Sequence, residues 1–419
     1  MIKNLFFSFL LITTASQSQT INVATSAQLQ NALNTAIAGQ TILLAPGNYI
    51  QSGGFSVPLG INGTDTNPII LQGNPNATIS SNNLNTGYGL HLQGNQYWKI
   101  QGLNVNNSKK GIVLDNSNYN SIDNAKVTNI GDEAIHLRTY SSYNTIQNCF
   151  IDATGLVATG YGEAIYVGSA VSNWCTYTSC NPDSCNYNTI DNNSFGNSVV
   201  SENIDIKEGT VGGVIKNNHF NGLGLNNQNS GDSWVDIKGN YYLIICNTGI
   251  NTILDGFQTH INAPGFGNYN TFSDNQMTIN STGNGINIKT LNSTGTAYNN
   301  IVCTNNTAIN AAMGLTNIQT TNCTSSCLNL GVTDIQSNPI FKYYPNPFSD
   351  SINITLSIDL ENATITIFNT SGQEINKIKN CNGKSIKISR ENIPNGIYFF
   401  QIINNNKIIA TEKIIINQH

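Results

Sequence analysis

The side chains of this sequence that could do chemistry are concentrated in one short recurring motif. The motif alternates polar and apolar residues over five positions, and three of its copies occupy residues 134–138, 164–168 and 203–207. Successive side chains of an extended strand point to opposite faces, so the polar members of every copy are expected on one outer face. That face carries Glu163, Glu202, Asp205, Asp236, Lys207, Lys238, Arg138, Tyr166 and His260. Only 10% of the 419 residues are charged, so this concentration is the strongest functional signal in the sequence.

The residue types on this face suit the removal of a proton next to a carboxylate group. Carboxylate oxygens from neighbouring strands are ligands for a hard cation such as calcium, and the candidate ligands are Glu163, Glu202, Asp205 and Asp236. A lysine beside a metal ion and a second cation is expected to have a lowered pKa, which prepares it as a general base. Together these groups predict β-elimination on a uronic acid polymer, in which cations stabilise the charge on the C6 carboxylate while lysine removes the C5 proton. The alternative is that the charges pair across strands and keep the sheet soluble.

The elements that must position these residues form a repeat. The first inward apolar position of the motif recurs at residues 90, 112, 135, 165, 204, 235, 257 and 286. A second pattern, Tyr-Asn-Ser/Thr followed by an apolar residue, interleaves with the first and begins at Tyr119, Tyr143, Tyr187 and Tyr269. A single repeat unit buries its apolar side only by stacking on its neighbours. The pattern therefore predicts an all-β fold, a right-handed parallel β-helix.

The two ends of the chain differ from the repeat. Residues 1–19 have the charge and apolar run of a signal peptide, and the β-helix is predicted over residues 20–338. Near its start, apolar residues at helical spacing over 26–36, with Ser26 as the N-cap, predict a helix that covers the open end of the solenoid. A strand and turn follow over residues 41–49. From residue 339 to residue 419 alternating strands predict a small C-terminal β-sandwich.

The composition excludes several classes of protein. The net charge of −5 and the absence of Lys/Arg clusters argue against a nucleic-acid binder, and no apolar run is long enough to span a membrane. The 70 Asn and 37 Gly residues favour turns rather than helices, so helical bundles are not expected. We expect an exported protein that acts as a monomer on a polysaccharide.

The nine cysteines fit an exported chain that contains disulfides. Two groups stand out, with Cys175, Cys180 and Cys185 in one and Cys303, Cys323 and Cys327 in the other. Zinc binding is the alternative, but no histidine accompanies either group. Disulfides that cross-link loops are therefore the favoured interpretation. Because the number of cysteines is odd, at least one cysteine is unpaired within a monomer.

The C-terminal segment resembles the sorting domain of type IX secretion substrates in Bacteroidetes. The matching features are the Tyr-Pro-Asn-Pro sequence from Tyr344, residues 369–373, residues 393–398 and the basic, apolar end at 412–416. The resemblance implies that the type IX secretion machinery carries the chain across the outer membrane. It further implies release or attachment at the cell surface. The alternative is a carbohydrate-binding appendage, although no aromatic cluster is apparent.

The N-terminal part resembles the chondroitinase B and alginate lyase family of polysaccharide lyases. Residues 41–49, 63–71 and 97–103 follow the usual opening of that family, and residues 162–169 and 202–208 resemble its two functional segments. The resemblance implies that an acidic polysaccharide is the substrate and calcium the cofactor.

The resemblance also implies roles for particular residues. Lys207 is then the group that abstracts the proton, Glu202 is a metal ligand, and Lys238 lies near a position where the family carries an assisting arginine. The sequence departs from the family at Val200, where a second metal carboxylate is expected, and Asp205 and Asp236 could restore the acidic count.

Two further functions are compatible with a β-helix. A glycoside hydrolase of the polygalacturonase type needs paired aspartates on adjacent turns, and Asp205 and Asp236 could form that pair. The signature motifs of that family are absent. A non-enzymatic surface or adhesive protein is the other alternative, and it would bind glycans without turnover.

Overall fold

The computed structural model describes residues 19–323, 327, 341–369, 374–404 and 407–417. The predicted signal peptide, apart from Gln19, lies outside these residues, and so does the predicted domain boundary at residues 338 and 339. The described residues form two compact units, one extending to Cys327 and one beginning at Phe341. Among the described helices, none is both long enough and apolar enough to cross a membrane.

The first unit is a parallel β-helix built from three sheets, which confirms the predicted fold. The strands of the first sheet are Thr20–Val23, Thr41–Leu44, Ile69–Gln72, Trp98–Gln101, Ser121–Asp123, Thr145–Gln147, Thr189–Asp191, Val214–Lys216, Leu243–Ile245, Thr271–Ser273 and Ile301–Val302. The strands of the second sheet are Gly47–Ile50, Ala77–Ser80, Asn104–Ser108, Lys126–Ile130, Phe150–Asp152, Ser194–Phe195, His219–Asn221, Thr248–Ile250, Gln276–Ser281 and Thr307–Ala311. The strands of the third sheet are Gly54–Val57, Tyr88–Gln93, Lys110–Asp115, Ile135–Arg138, Ile165–Val167, Ile204–Ile206, Val235–Ile237, Phe257–Thr259 and Ile286–Asn287.

The register of the third sheet places the motif copies side by side. Ile112 pairs with both Leu90 and Ile135, and Ile165 pairs with both Ile135 and Ile204. The same inward column continues to Val235, Phe257 and Ile286, and each of its members exposes at most 1% of its surface. The predicted column of inward residues is therefore confirmed at all eight positions. The stacked apolar side chains form one continuous core along the solenoid.

Asparagine ladders inside the turns explain much of the asparagine content. Each buried amide accepts a hydrogen bond from the backbone N–H of the equivalent residue one turn earlier, as Asn218 does from Asn193 at 2.9 Å. Its own Nδ2 donates to the carbonyl of Ile190 and to the side chain of Asn247. Asn193, Asn218, Asn247, Asn275 and Asn306 form one such ladder, and Asn120, Asn144 and Asn188 form a second. The amides thus satisfy buried backbone groups at turns.

The N-terminal end of the solenoid carries the predicted helix, which runs from Ser26 to Thr35. Its N-cap is Thr25 rather than the predicted Ser26, because the hydroxyl of Thr25 accepts from the N–H of Gln28. Ser26 instead accepts from the backbone N–H of Ile50, one turn of the solenoid later. Leu29, Ala32 and Leu33 of the helix are buried. The other short helices are Trp174–Tyr177 and the 3-10 turns Thr159–Tyr161, Val171–Asn173 and Gln228–Ser230.

The cysteines form disulfides, as the sequence indicated, although one pairing crosses the predicted groups. The bonds join Cys175 to Cys180, Cys303 to Cys323 and Cys246 to Cys327. Cys149, Cys185 and Cys381 are unpaired and buried. The prediction missed Cys246 because stacking brings it next to a residue 81 positions away in the chain.

The second unit is antiparallel and all-β, as expected for the C-terminal domain. Its strands are Phe341–Tyr344, Ser351–Asn369, Glu374–Ser389, Gly396–Asn404 and Lys407–Ile416. The strand Ser351–Asn369 is continuous over 19 residues, and its pairing with Glu374–Ser389 shifts register several times. Ile352, Ile354, Ile365, Phe400 and Ile402 form the centre of a separate core.

Removing one rung of the longer asparagine ladder should destabilise the β-helix. Asn218→Ala leaves the backbone N–H of Asn193 buried without its acceptor, so we expect the free energy of unfolding to fall by about 3 kcal/mol. Urea unfolding of both proteins measures the difference. The matched control is Asn85→Ala on an exposed loop, where a change within about 0.5 kcal/mol is expected. Equal losses in the two variants would contradict a structural role of the ladder.

Candidate active site

The candidate site lies on the outer face of the third sheet, where three neighbouring strands carry the predicted residues. The register places Tyr166, Asp205 and Asp236 directly beside one another on the strands Ile165–Val167, Ile204–Ile206 and Val235–Ile237. Because neighbouring strands are about 4.8 Å apart, side chains in this column are within contact distance.

Loops on both sides turn this outer face into a cleft. The cavity has a volume of about 400 Å³, and Glu163, Tyr166, Lys207, Asp236, Lys238 and His260 contribute to its floor and walls. Tyr161, Asn229 and Asn173 belong to the loops that line it. The side chains predicted to face outward do so, but most of them are buried under these loops rather than open to solvent. The insertions that lengthen individual turns of the repeat therefore build the walls of the site.

Three of the four predicted metal ligands come together next to the cleft, and Glu163 is the one that lines it. Carboxylate oxygens of Glu163, Glu202 and Asp205 lie within 4.8 Å of one another, and all three residues are buried. Burial raises the pKa of Glu163 to about 8, and the neighbouring Glu133 and Asp205 add to the shift. Burial also raises the pKa of Glu202 far above its usual range, with Asp236 and Asp205 contributing.

This acidic triad fits a hard cation. Oxygen Oε2 of Glu163 is buried and has no hydrogen-bond partner. Glu202 accepts a hydrogen bond from the hydroxyl of Ser201 at 2.5 Å. Oxygen ligands from three carboxylates, one of them carrying a free buried lone pair, are the donor set that calcium prefers.

The two lysines of the cleft share Asp205. Lys207 Nζ lies 2.5 Å from one oxygen of Asp205, and Lys238 Nζ lies 2.6 Å from the other. Burial lowers the pKa of Lys207, but Asp205 and Glu163 outweigh burial and hold that pKa above its usual value. Burial likewise lowers the pKa of Lys238, and Asp205 and Asp236 outweigh it. Without a metal ion beside it, each lysine therefore has a raised pKa, because several buried carboxylates face it. The lowered pKa expected next to a metal ion stays a prediction.

Asp236 lies beside Asp205 but is not one of the three carboxylates that form the triad. Its carboxylate accepts from the hydroxyl of Ser233 at 2.8 Å and lies 3.1 Å from Lys238 Nζ and from His260 Nε2. Burial raises the pKa of Asp236, but His260 and Lys238 outweigh burial and hold that pKa well below its usual range. Asp236 is thus a counter-ion of Lys238 and is in contact with His260.

Tyr166 lies beside Asp205 and Lys207. Lys207 Nζ is 4.7 Å from the centre of the Tyr166 ring, in the geometry of a cation–π contact. Burial raises the pKa of Tyr166 far above its usual value, and Asp205 and Glu163 add to that shift. The phenol of Tyr166 is therefore neutral and keeps its proton.

His136, which the sequence analysis did not select, packs against Tyr166. The two rings are 4.4 Å apart, and the residues are partners in the register of the third sheet. Burial lowers the pKa of His136 to about 3, so its ring is neutral. Its Nε2 lies 3.1 Å from the carbonyl oxygen of Gly168, to which it donates. The signal that could have found it is its position in the same outward column as Tyr166.

Arg138 is not in contact with the lysines or the triad. Its Nε donates to Asp115 Oδ1 at 2.6 Å, and its Nη2 donates to Asp115 Oδ2 at 3.0 Å. The residue exposes only 6% of its surface. Among the predicted site residues, Arg138 therefore belongs to a separate cluster on the preceding turns.

Comparison with known families and structures agrees with the fold and the domain order. Residues 11–151 match a family model described as the Pel9A-like right-handed β-helix region. Residues 342–417 match the secretion system C-terminal sorting domain, which confirms the predicted sorting domain and marks the chain for the cell exterior or the cell surface. No curated protein sequence matches the chain.

Two solved structures show the relationship of the β-helix. The crystal structure of pectate lyase Pel9A is 17% identical, with a TM-score of 0.53 over 74% of this chain and 79% of that chain, and it supports the fold. The crystal structure of alginate lyase from Paenibacillus sp. str. FPU-7 is 35% identical, with a TM-score of 0.66, and the match covers 73% of this chain and 99% of that chain. Because the match reaches this identity over nearly the whole of the Paenibacillus alginate lyase, the chain belongs to the β-helix family of that enzyme. It carries a C-terminal sorting domain in addition.

Proposed function

We propose that this exported chain is a polysaccharide lyase that cleaves a uronate-containing polysaccharide, such as alginate, by β-elimination. One observation carries the proposal: a lysine, a neutral tyrosine and a buried acidic triad meet in one cleft on the third sheet. Family membership supports a lyase, and the cationic side chains of the cleft support an acidic polymer as the substrate.

Lys207 is the proposed base that removes the proton from C5 of the uronate. Its side chain is 11% exposed, which makes it accessible from the cleft, and Asp205 holds its Nζ in place. A lysine acts as a base only in its neutral form, so the negative charge around it has to be offset before the reaction. Lys238 contributes one positive charge on the next strand of the sheet.

Tyr166 is the proposed acid. In the elimination the C5–H bond and the bond from C4 to the bridging oxygen break, and a double bond forms between C4 and C5. The bridging oxygen leaves with the electron pair and needs a proton, which the neutral phenol of Tyr166 can donate. Base and acid then lie on neighbouring strands, on the same side of the substrate.

The acidic triad is the proposed calcium site. Glu163, Glu202 and Asp205 would hold the ion, and Asp236 would support it only indirectly, through its contact with Lys238. When bound, calcium would supply positive charge that offsets the carboxylates and stabilises the charge developing on the C6 carboxylate of the substrate. Lys238 also contributes by attracting and orienting that carboxylate.

Loss of the base should abolish turnover. We expect Lys207→Ala to lower kcat by about 10³-fold on uronate polymers, because it removes the proposed base for the C5 proton. The ultraviolet absorbance of the unsaturated product measures the rate. Lys216→Ala is the matched control, since Lys216 pairs with Asp191 on the first sheet, outside the cleft, and should leave the rate unchanged. Binding without any turnover by the unmodified chain would support the non-enzymatic alternative instead.

Loss of the tyrosine hydroxyl should affect the chemical step and leave binding intact. We expect Tyr166→Phe to reduce kcat by about 10²-fold with little change in KM, because the ring still packs against His136 while the proton donor is gone. Tyr241→Phe, a stacked and exposed tyrosine outside the cleft, is the control. A change in KM alone would contradict the role of Tyr166 as the acid.

Calcium should bind to the purified chain with about one ion per β-helix. Isothermal titration calorimetry of chelator-treated protein should show one site, and Glu202→Gln should weaken it by at least about tenfold, since it removes one charged ligand of three. Glu374→Gln in the C-terminal domain, where Glu374 pairs with Lys377, is the matched control. An unchanged calcium affinity in Glu202→Gln, or no binding at all, would contradict the site.

A further inference from the structure

A row of side chains crosses the third sheet on the N-terminal side of the cleft. The guanidinium carbon of Arg138 lies 4.8 Å from the centre of the Tyr177 ring and 5.8 Å from the centre of the Tyr88 ring. Tyr177 comes from the loop that follows the strand Ile165–Val167, and Tyr88 begins a strand two turns before Arg138. We call this group, Tyr88, Arg138 and Tyr177, the crossbar.

The arginine of the crossbar is held by hydrogen bonds within the protein. Each nitrogen of the Arg138 guanidinium has a partner, since Nε and Nη2 donate to Asp115, Nη2 also lies 3.3 Å from the hydroxyl of Tyr88, and Nη1 lies 3.4 Å from that of Tyr177. His91 Nε2 lies 2.7 Å from Asp115, and the hydroxyl of Thr139 donates to the same carboxylate at 3.0 Å. An arginine with these hydrogen bonds has a structural role and does not serve as an anion-binding group.

The loop that supplies Tyr177 is itself anchored. The disulfide between Cys175 and Cys180 closes it on itself, and the hydroxyl of Tyr140 donates to the carbonyl of Thr178 at 3.1 Å. Asp183, which is fully buried, accepts from the hydroxyl of Ser169 at 2.5 Å and from the backbone N–H of Tyr140 at 2.8 Å. These contacts fix the position of the crossbar relative to the strands below it.

The register of the third sheet locates the crossbar relative to the proposed base. Leu137 pairs with Val167, and Val167 pairs with Ile206, so Arg138 lies two strands before Lys207 in the same column. Two strand spacings correspond to roughly 10 Å. In the other direction the cleft continues past Lys238 to His260 and Asn262. On one side of the base the lining of the cleft ends at the strand Ile165–Val167, which neighbours the strand that carries Arg138, and on the other side it extends across two further strands.

We infer that the crossbar closes the N-terminal side of the cleft, so that the enzyme binds the end of a uronate polymer and cleaves it exolytically. The polymer then enters from the side of His260, and its terminal residues lie between the crossbar and Lys207. The inference deepens the proposed function and rests on it. Tyr177 becomes a specificity-determining residue, which sets the number of sugars released and takes no part in the chemical step.

The first experiment compares viscosity and ultraviolet absorbance in the same digest of alginate by the full chain. An exolytic enzyme raises the absorbance while the viscosity falls slowly, because each cut shortens a chain only at its end. Tyr177→Ala removes the part of the crossbar that the loop supplies, and we expect about tenfold fewer cuts for the same loss of viscosity. The matched control, Tyr298→Ala, removes an exposed tyrosine outside the cleft and should leave the number of cuts for a given loss of viscosity unchanged.

A binding measurement separates this inference from the proposed function. Lys207→Ala is titrated with short alginate oligomers and with long alginate. If the cleft is closed, short and long alginate bind with the same Kd when their concentrations are expressed per chain end. If the cleft is open at both sides, the two Kd values agree when concentrations are expressed per uronate residue. Rapid loss of viscosity in the unmodified chain, or affinity that follows residues rather than ends, overturns the crossbar inference and leaves the lyase proposal standing. Absence of both binding and turnover on uronate polymers overturns both.

Discussion

The structure depends on one constraint, which is that each turn of the solenoid stacks on the next in register. Parallel strands of two to six residues do not form a stable sheet by themselves, and here each strand is held by the turns before and after it. The turns have to satisfy their backbone groups as well, and the asparagine ladders do so from within. The low charge content and the high asparagine content follow from this requirement, since an amide can be buried in a ladder at a far lower cost than a charged group.

Stacking also determines where chemistry can be placed. A polar residue at one outward position of a strand lies beside the equivalent residues of two other strands, so a column of outward residues can collect acids and bases from parts of the chain that are 30 to 40 residues apart. Tyr166, Asp205 and Asp236 are such a column. Insertions at the turns add loops without disturbing the register, and three of these loops line the cleft. The rigid sheet positions the reactive groups, and the loops exclude water from them.

Much of this could be predicted from the sequence, because the apolar column has a regular pattern. The inward residues from Leu90 to Ile286, and the face that carries the site, follow from the alternation of polar and apolar residues. The contacts that each side chain makes within the site could not be predicted in the same way. Whether Asp236 faces the triad or Lys238, and whether Arg138 reaches the cleft or Asp115, depends on side-chain conformations and on the cost of desolvation. Burial of the ladder asparagines was missed for a similar reason, since asparagine is usually an exposed turn residue.

The charge balance of the cleft connects the site to the type of reaction. Glu163, Glu202, Asp205 and Asp236 face only two lysines, so four ionised carboxylates would leave an excess of two negative charges in a buried site. Such an excess is too costly to bury, and either a divalent cation or protons on Glu163 and Glu202 must remove it. A hydrolase of the paired-aspartate type would need one aspartic acid that keeps its proton, but Asp205 and Asp236 both contact Lys238, and the pKa of Asp236 is held well below its usual range. The same arrangement suits a lyase, because the lysines are held next to the place where a substrate carboxylate and a transferable proton have to meet.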